Sequence, residues 1–167
     1  MATSKQQSLI TAIVERLQTI DGSGDYDTDF RRHVEDSRTD WGDNDDENTE
    51  LPAISLFQLP TEIAEEIRHG KRRTVHVMPV QIKIFVKRGE TAENVRQANA
   101  DVMLAILGTG TQSDNWLGER FPDADGIGYA METRPRRRGS GYAHDSFEIA
   151  AVIVEIEITY ITDKWSI

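Results

Sequence analysis

Phe147 to Thr162, FEIAAVIVEIEITYIT, is the stretch whose reading decides the fold class. It is dominated by β-branched and aromatic side chains, contains neither Gly nor Pro, and is long for a strand. In its second half Val152, Val154, Ile156, Ile158 and Tyr160 alternate with Glu155, Glu157 and Thr159, the period-two pattern of a half-buried strand. In its first half the apolar parity is reversed, onto Phe147, Ile149, Ala151 and Ile153. Such a switch predicts either burial on both faces or a β-bulge that re-aims the strand.

A second stretch of the same kind lies upstream. Arg72 to Lys87, RRTVHVMPVQIKIFVK, places Val80, Ile82, Ile84 and Val86 on one face with Gln81, Lys83 and Lys87 on the other. Before Pro79 the apolar parity moves to Val75 and Val77. Proline donates no ladder hydrogen bond, so Pro79 predicts a bulge or a sheet edge. Antiparallel pairing of the two stretches would let Lys83 and Lys87 face Glu155 and Glu157.

Two amphipathic helices accompany these strands. From Ser4 to Ile20, Leu9, Ile10, Ile13, Val14, Leu17 and Ile20 recur at helical steps, with Thr3 or Ser4 as cap and Asp21-Gly22 as stop. From Thr91 to Leu107, Val95, Ala98, Val102, Ala105 and Ile106 form the stripe, Thr91 caps, and Gly108 ends it. Ala53 to Leu59 reads as a short strand and Ile127 to Pro135 as another. Pro60 to Gly70 fits a short helix or a hairpin arm. Thr109 to Gly128 has loop composition, with Trp116, Leu117 and Phe121 as its anchors. These elements predict an α+β fold: a mostly antiparallel, bent sheet with two main helices packed on it.

The length of 167 residues suits one domain. No apolar run reaches the roughly 18 residues a membrane span needs. The opening MATSKQQSLI lacks a basic segment followed by an apolar one, so no secretory signal is expected. Cysteine is absent, which removes disulfides, thiol nucleophiles and Cys-based zinc sites. The formal charge of −10 argues against binding nucleic acid by neutralising its phosphates.

Most of that charge sits in Gly22 to Glu50, where eleven carboxylates face three arginines, a net of −8. Such a composition predicts a mobile acidic excursion that buries little apolar surface. Its carboxylates invite a calcium reading, but an EF-hand frame opening at Asp40 puts Gly42 at position 3 and Asp45 where the turn glycine belongs. No metal site is expected there. The histidines, His33, His69, His76 and His144, form no H-x-x-x-H or H-x-H pair, and His76 reads as a packed strand imidazole. Gly108-Thr-Gly-Thr follows a helix and lacks the P-loop lysine, so it reads as a helix stop. No nucleophile elbow supports a catalytic triad. Neither catalytic residues nor a cofactor is expected.

Arg134, Arg136, Arg137 and Arg138 stand out as the one concentrated basic patch, read as a flexible hairpin tip before the last strand. A solvated tip is the plain reading. Phosphate contact is a second, and pairing with an acidic surface of a neighbouring subunit a third. The acidic stretch on the same chain favours the third.

With ELPAISLF at 50–57, MPVQIKIFV at 78–86, TAENVRQANADVMLAIL at 91–107 and EIEITYITD at 155–163, the chain resembles the tail terminator, or tail completion, proteins of long-tailed bacteriophages. The resemblance covers nearly the whole chain as element order and strand style. It implies a virion protein that forms a ring, usually hexameric, at the head-proximal end of the tail after synthesis in the host cytoplasm. That ring caps the tail tube, ends its growth and provides the head-tail joining surface, catalysing no reaction. Its partners would be other copies of itself, the tail tube protein and a head-tail connector protein, with DNA passing through unbound and no membrane involved. The contact residues expected on this view are Arg134 and Arg136 to Arg138 on one side, and Asp43, Asp45 and Asp46 on the other. A head-side connector protein of the neck, or a small acidic module such as a DNA-mimic inhibitor, are the alternatives.

Overall fold

The computed structural model describes residues 4–38, 51–67, 73–87, 92–108, 117, 130–142 and 149–163. Along the chain these form α1 (Lys5–Leu17), β1 (Val34–Asp36), β2 (Ala53–Gln58), β3 (Glu62–Ile67), β4 (Arg73–Lys87), α2 (Ala92–Leu107), β5 (Ala130–Tyr142) and β6 (Ile149–Asp163). The six strands make one sheet in the order β1-β2-β4-β6-β5, with β3 paired to β4 beside β2. Only β1 and β2 run parallel; every other pairing is antiparallel. This is the α+β class expected, with both helices on one sheet face.

The two long strands are the spine. Fifteen residues of β4 register without interruption against fifteen of β6, from Arg73 opposite Asp163 to Lys87 opposite Ile149. Met78, Val80, Ile82, Ile84 and Val86 of β4, with Val152, Val154, Ile156, Ile158 and Tyr160 of β6, are buried in one apolar cluster. Ile54 and Leu56 of β2 extend the same face. The helices cover it with Leu9, Ile10, Ile13 and Leu17 of α1 and Ala98, Val102, Ala105 and Ile106 of α2. Each large side chain so buried contributes roughly 1.5–3 kcal/mol.

The start of α1 and the end of α2 follow their sequence signals; Thr91, the expected cap of α2, lies outside the described residues. Ser4 caps α1, its hydroxyl accepting the Gln7 N–H at 3.2 Å. Regular helix stops at Leu17, three residues before the expected end, and the chain turns through Gly22 at φ +70°. Gly108 ends α2 at φ +73°, its N–H donating to the Leu104 carbonyl at 2.9 Å. Arg16 Nε ties the helices together by donating to the Ala105 carbonyl at 3.0 Å.

Neither parity switch is a bulge in its own strand. The reversed-parity Ala151 lies opposite Phe85, which with Ala53 and partly buried Leu51 forms a second apolar cluster on the face away from the helices. The ladder carries no bulge there, and Ile153 of that half is partly buried. Pro79 lies inside the uninterrupted β4–β6 ladder, not at a bulge or an outer edge. Its carbonyl accepts the Leu59 N–H at 2.9 Å. A strand residue directs its nitrogen to the same side as its carbonyl. The donorless nitrogen therefore faces residues 59–61, where β4 changes partner from β2 to β3. The register shifts fall on β5, between Ala130 and Glu132 and between Pro135 and Arg137, and on β3, between Ile63 and Glu65, and bulges bend the strand that carries them.

Two segments differ from the sequence reading. Residues 22–38 do not stand apart from the core as an excursion: Phe30 and Val34 are buried, and Tyr26 packs against the cluster. Three apolar side chains suffice to tie an acidic segment down, which a charge count does not register. The remainder of that segment, 39–50, lies outside the described residues. Pro60 to Gly70 supplies the hairpin arm β3 over 62–67. Leu117 is buried as expected of an anchor, while Trp116 and Phe121 lie outside the described residues.

Candidate functional site

The arginine patch is in a strand, not at a hairpin tip. β5 runs to Tyr142, and the register places Arg134 opposite Glu157, Arg137 opposite Glu155 and Arg138 opposite Val154, with Arg136 the extra residue of a bulge. The glycines and basic side chains of Arg136-Arg-Arg-Gly-Ser-Gly read as a flexible tip; pairing with the long β6 holds the segment extended instead. β5 pairs with β6 alone among the described residues, so the patch lies on a sheet rim. Arg134 is exposed there.

The expected opposition of Lys83 and Lys87 to Glu155 and Glu157 is not the observed one. Lys83 registers with Ile153, two places from Glu155, and Lys87 with Ile149, six places from it, because the unbroken ladder sets the register over its full length. Glu155 instead lies between Gln81 on β4 and Arg137 on β5, and accepts a hydrogen bond from Gln81 Nε2 at 3.2 Å. Lys83 lies over the Phe57 ring with Nζ 4.5 Å from its centroid, within cation–π range. The sheet face away from the helices thus carries Gln81 and Lys83 of β4 with Glu155 of β6, beside the Phe57 ring of β2.

Asp43, Asp45 and Asp46 lie outside the described residues, so the structure does not bring them to the arginines. The basic run is not the only one either. The sequence holds a second, Arg68, Lys71, Arg72 and Arg73. Arg73 opens β4, and the others lie outside the described residues.

On the helix side, the acidic segment docks on α2 through a buried carboxylate. Asp101, 4% exposed, accepts the backbone N–H groups of Asp27 at 3.1 Å and Thr28 at 2.8 Å. Gln97 Nε2 also donates to the Asp27 carboxylate. A cleft of about 300 Å³ lies alongside, lined by Thr28, Asp29, Pro52, Val86, Asn94 and Gln97 among others. Asp29 is fixed by Arg31, whose Nη2 lies 2.6 Å from it, and this bond holds the Asp29 carboxyl below its ordinary range. The Ser23 hydroxyl does the same for Asp21. No group of three or more His, Asp or Glu able to hold a metal ion occurs among the described residues. Asp101 was missed on the sequence, although an Asp at the i+3 position from Ala98 and directly before Val102 on a core stripe is the signal for a buried, partnered carboxylate.

At the other end of the sheet, His76 stacks on Tyr160 with ring centroids 5.0 Å apart and planes 15° from parallel. Its Nε2 is 2.8 Å from Thr162 Oγ1, and burial pushes the imidazole pKa down. The Tyr160 hydroxyl accepts from Gln6 Nε2 at 2.7 Å, linking α1 to the sheet, and burial pushes the phenol pKa up. His76 is a packed strand imidazole, as read.

No protein-family model matches this chain, and no curated protein matches it. Among solved structures it is similar to a chain of the virion of a native gene transfer agent particle, at 12% identity and a TM-score of 0.45, over 79% of this chain and 81% of that one. None of the described helices is long and apolar enough to cross a membrane.

Proposed function

We propose that this chain is a structural virion protein of the tail terminator kind, forming a ring that caps the tail tube, ends its growth and joins tail to head. The resemblance in element order supports it, and the order of folded elements retains that sequence of helix, strands, helix and long C-terminal strand. The observation that carries it is the rim placement of the arginine strand β5. A ring of like subunits needs heterologous contacts, in which one surface meets a different one. A basic sheet rim on a chain of net charge −10 supplies such a pair of unlike surfaces. In this reading the work is binding and shape, with the negative charge letting DNA slide past.

Light scattering with negative-stain imaging tests the ring, and adding the protein to unfinished tail tubes tests the cap. Rings, and tubes of fixed length that then join heads, are expected. A chain that stays monomeric both in solution and on tail tubes overturns the proposal and favours the small acidic module. Rings that bind heads but leave tube length unchanged make it a neck connector.

A further inference from the structure

Resting on the ring reading, we infer that neighbouring subunits join by strand pairing, the acidic rim strand β3 of one copy adding to the basic rim strand β5 of the next. β3, EIAEEI, carries three glutamates and no basic residue; β5, AMETRPRRRGSGY, carries four arginines and one glutamate. Among the described residues each pairs on one side only, β3 with β4 and β5 with β6, and they lie on opposite rims of the sheet. β1, further along the β3 rim, adds Glu35 and Asp36, with Glu35 paired to Arg38 at 3.1 Å. One rim is therefore acidic and the other basic.

A strand with an open side presents unpaired N–H and C=O groups, ready to template another strand. Ile63 of β3 is 67% exposed, a large apolar side chain left in water where a neighbouring strand would cover it. Both rims carry an irregularity, at Pro135 and Arg136 on β5 and between Ile63 and Glu65 on β3, but Arg137 to Tyr142 register continuously with β6, a run as long as the six residues of β3.

Direction agrees with charge. β3 runs antiparallel to β4, β4 to β6 and β6 to β5, so β3 and β5 point opposite ways. A second copy set beside the first in the same orientation, as a cyclic ring demands, brings its β3 against β5 in antiparallel sense. Charge also selects against the wrong partners. Glutamates against glutamates, or arginines against arginines, are unfavourable across a strand pair, so two β3 rims or two β5 rims repel while β3 and β5 attract. That disfavours a closed isologous dimer and leaves the head-to-tail contact that makes rings.

Two reversed variants test it: Arg134→Glu with Arg137→Glu and Arg138→Glu, and Glu62→Lys with Glu65→Lys and Glu66→Lys. Each alone is expected to lose assembly and run near the 18.9 kDa of one chain, and a 1:1 mixture to regain rings, since each reversed rim now fits the other. Rings formed by either variant alone overturn the β3–β5 contact while leaving the ring itself standing. A wild-type chain that never assembles overturns the ring reading, and this contact with it. Amide exchange on the unmodified protein guards against variants that fail to fold. Slower exchange across 62–67 and 137–142 in rings than in dilute monomer is expected, and equal rates in the two forms overturn the contact.

Discussion

The carboxylate of Asp101 accepts the backbone N–H of Thr28 at 2.8 Å, across 73 residues of sequence, and the N–H of Asp27 beside it. One buried side chain on α2 thereby fixes where the acidic segment enters the fold. Replacing it with alanine leaves two backbone donors without that partner, and hydrogen bonds to a charged group are worth about 1.5–3 kcal/mol each. Asp101→Ala is expected to lower unfolding stability by about 2–4 kcal/mol, and Asp101→Asn, which keeps an acceptor, by about half of that. Denaturant titration of the two variants checks this. Equal and small losses would show that the contact is dispensable.

Phe30 is the apolar counterpart of that contact. It is fully buried, within a segment whose composition alone predicts little burial. Phe30→Ala is expected to cost about 3–5 kcal/mol, the range for emptying an aromatic site in a core. The exposed Asp25 should change stability by less than about 0.5 kcal/mol when made Ala. Thermal unfolding of the two variants measured side by side distinguishes a docked segment from a detached one.

What was legible in the sequence was what periodicity encodes. The helices, the long strands and the core faces of β4 and β6 follow from apolar spacing, because a buried face leaves a mark on every second or fourth residue. Register leaves no such mark. Lys83 and Glu155 are near enough in pattern to pair, yet the ladder sets them two places apart. The arginines were legible as a patch but not as a strand, because Pro135, Gly139 and Gly141 carry turn chemistry whereas pairing with β6 decides their conformation. Partner changes are equally silent: Pro79 reads as an interruption until β4 is seen to exchange β2 for β3 there.

His76 gives the fold a mild acid sensitivity. Burial disfavours its charged form, so its pKa in the folded protein lies below the ordinary 6.5. The unfolded chain then binds the proton more readily, and stability falls as pH drops below about 6.5, levelling off once the folded imidazole is also protonated. Above that pH the residue is neutral in both states and contributes no slope. Unfolding midpoints measured from pH 7.5 to 5 are expected to decline, and His76→Gln to flatten the decline. An unchanged slope in the variant would assign it to other groups.

Pro79 supplies the sharpest contrast with its sequence reading. A proline within a central strand ordinarily forfeits a ladder hydrogen bond, and restoring the N–H should then stabilise. Here the nitrogen faces residues 59–61, where β2 has ended and β3 has not begun, while its carbonyl already accepts the Leu59 N–H at 2.9 Å. The Leu59 carbonyl lies on the same side of its strand as the Leu59 N–H that Pro79 already receives, so it is the acceptor a new N–H would meet, a gain of about 0.5–1.5 kcal/mol. The substitution also frees the unfolded chain, which costs about 0.4–1 kcal/mol when a compatible proline is lost. The two effects nearly cancel, so Pro79→Ala is expected to shift stability by less than about 1 kcal/mol in either direction. Chemical denaturation of the variant checks this, and a loss well above that range would show that the nitrogen meets no acceptor at Leu59.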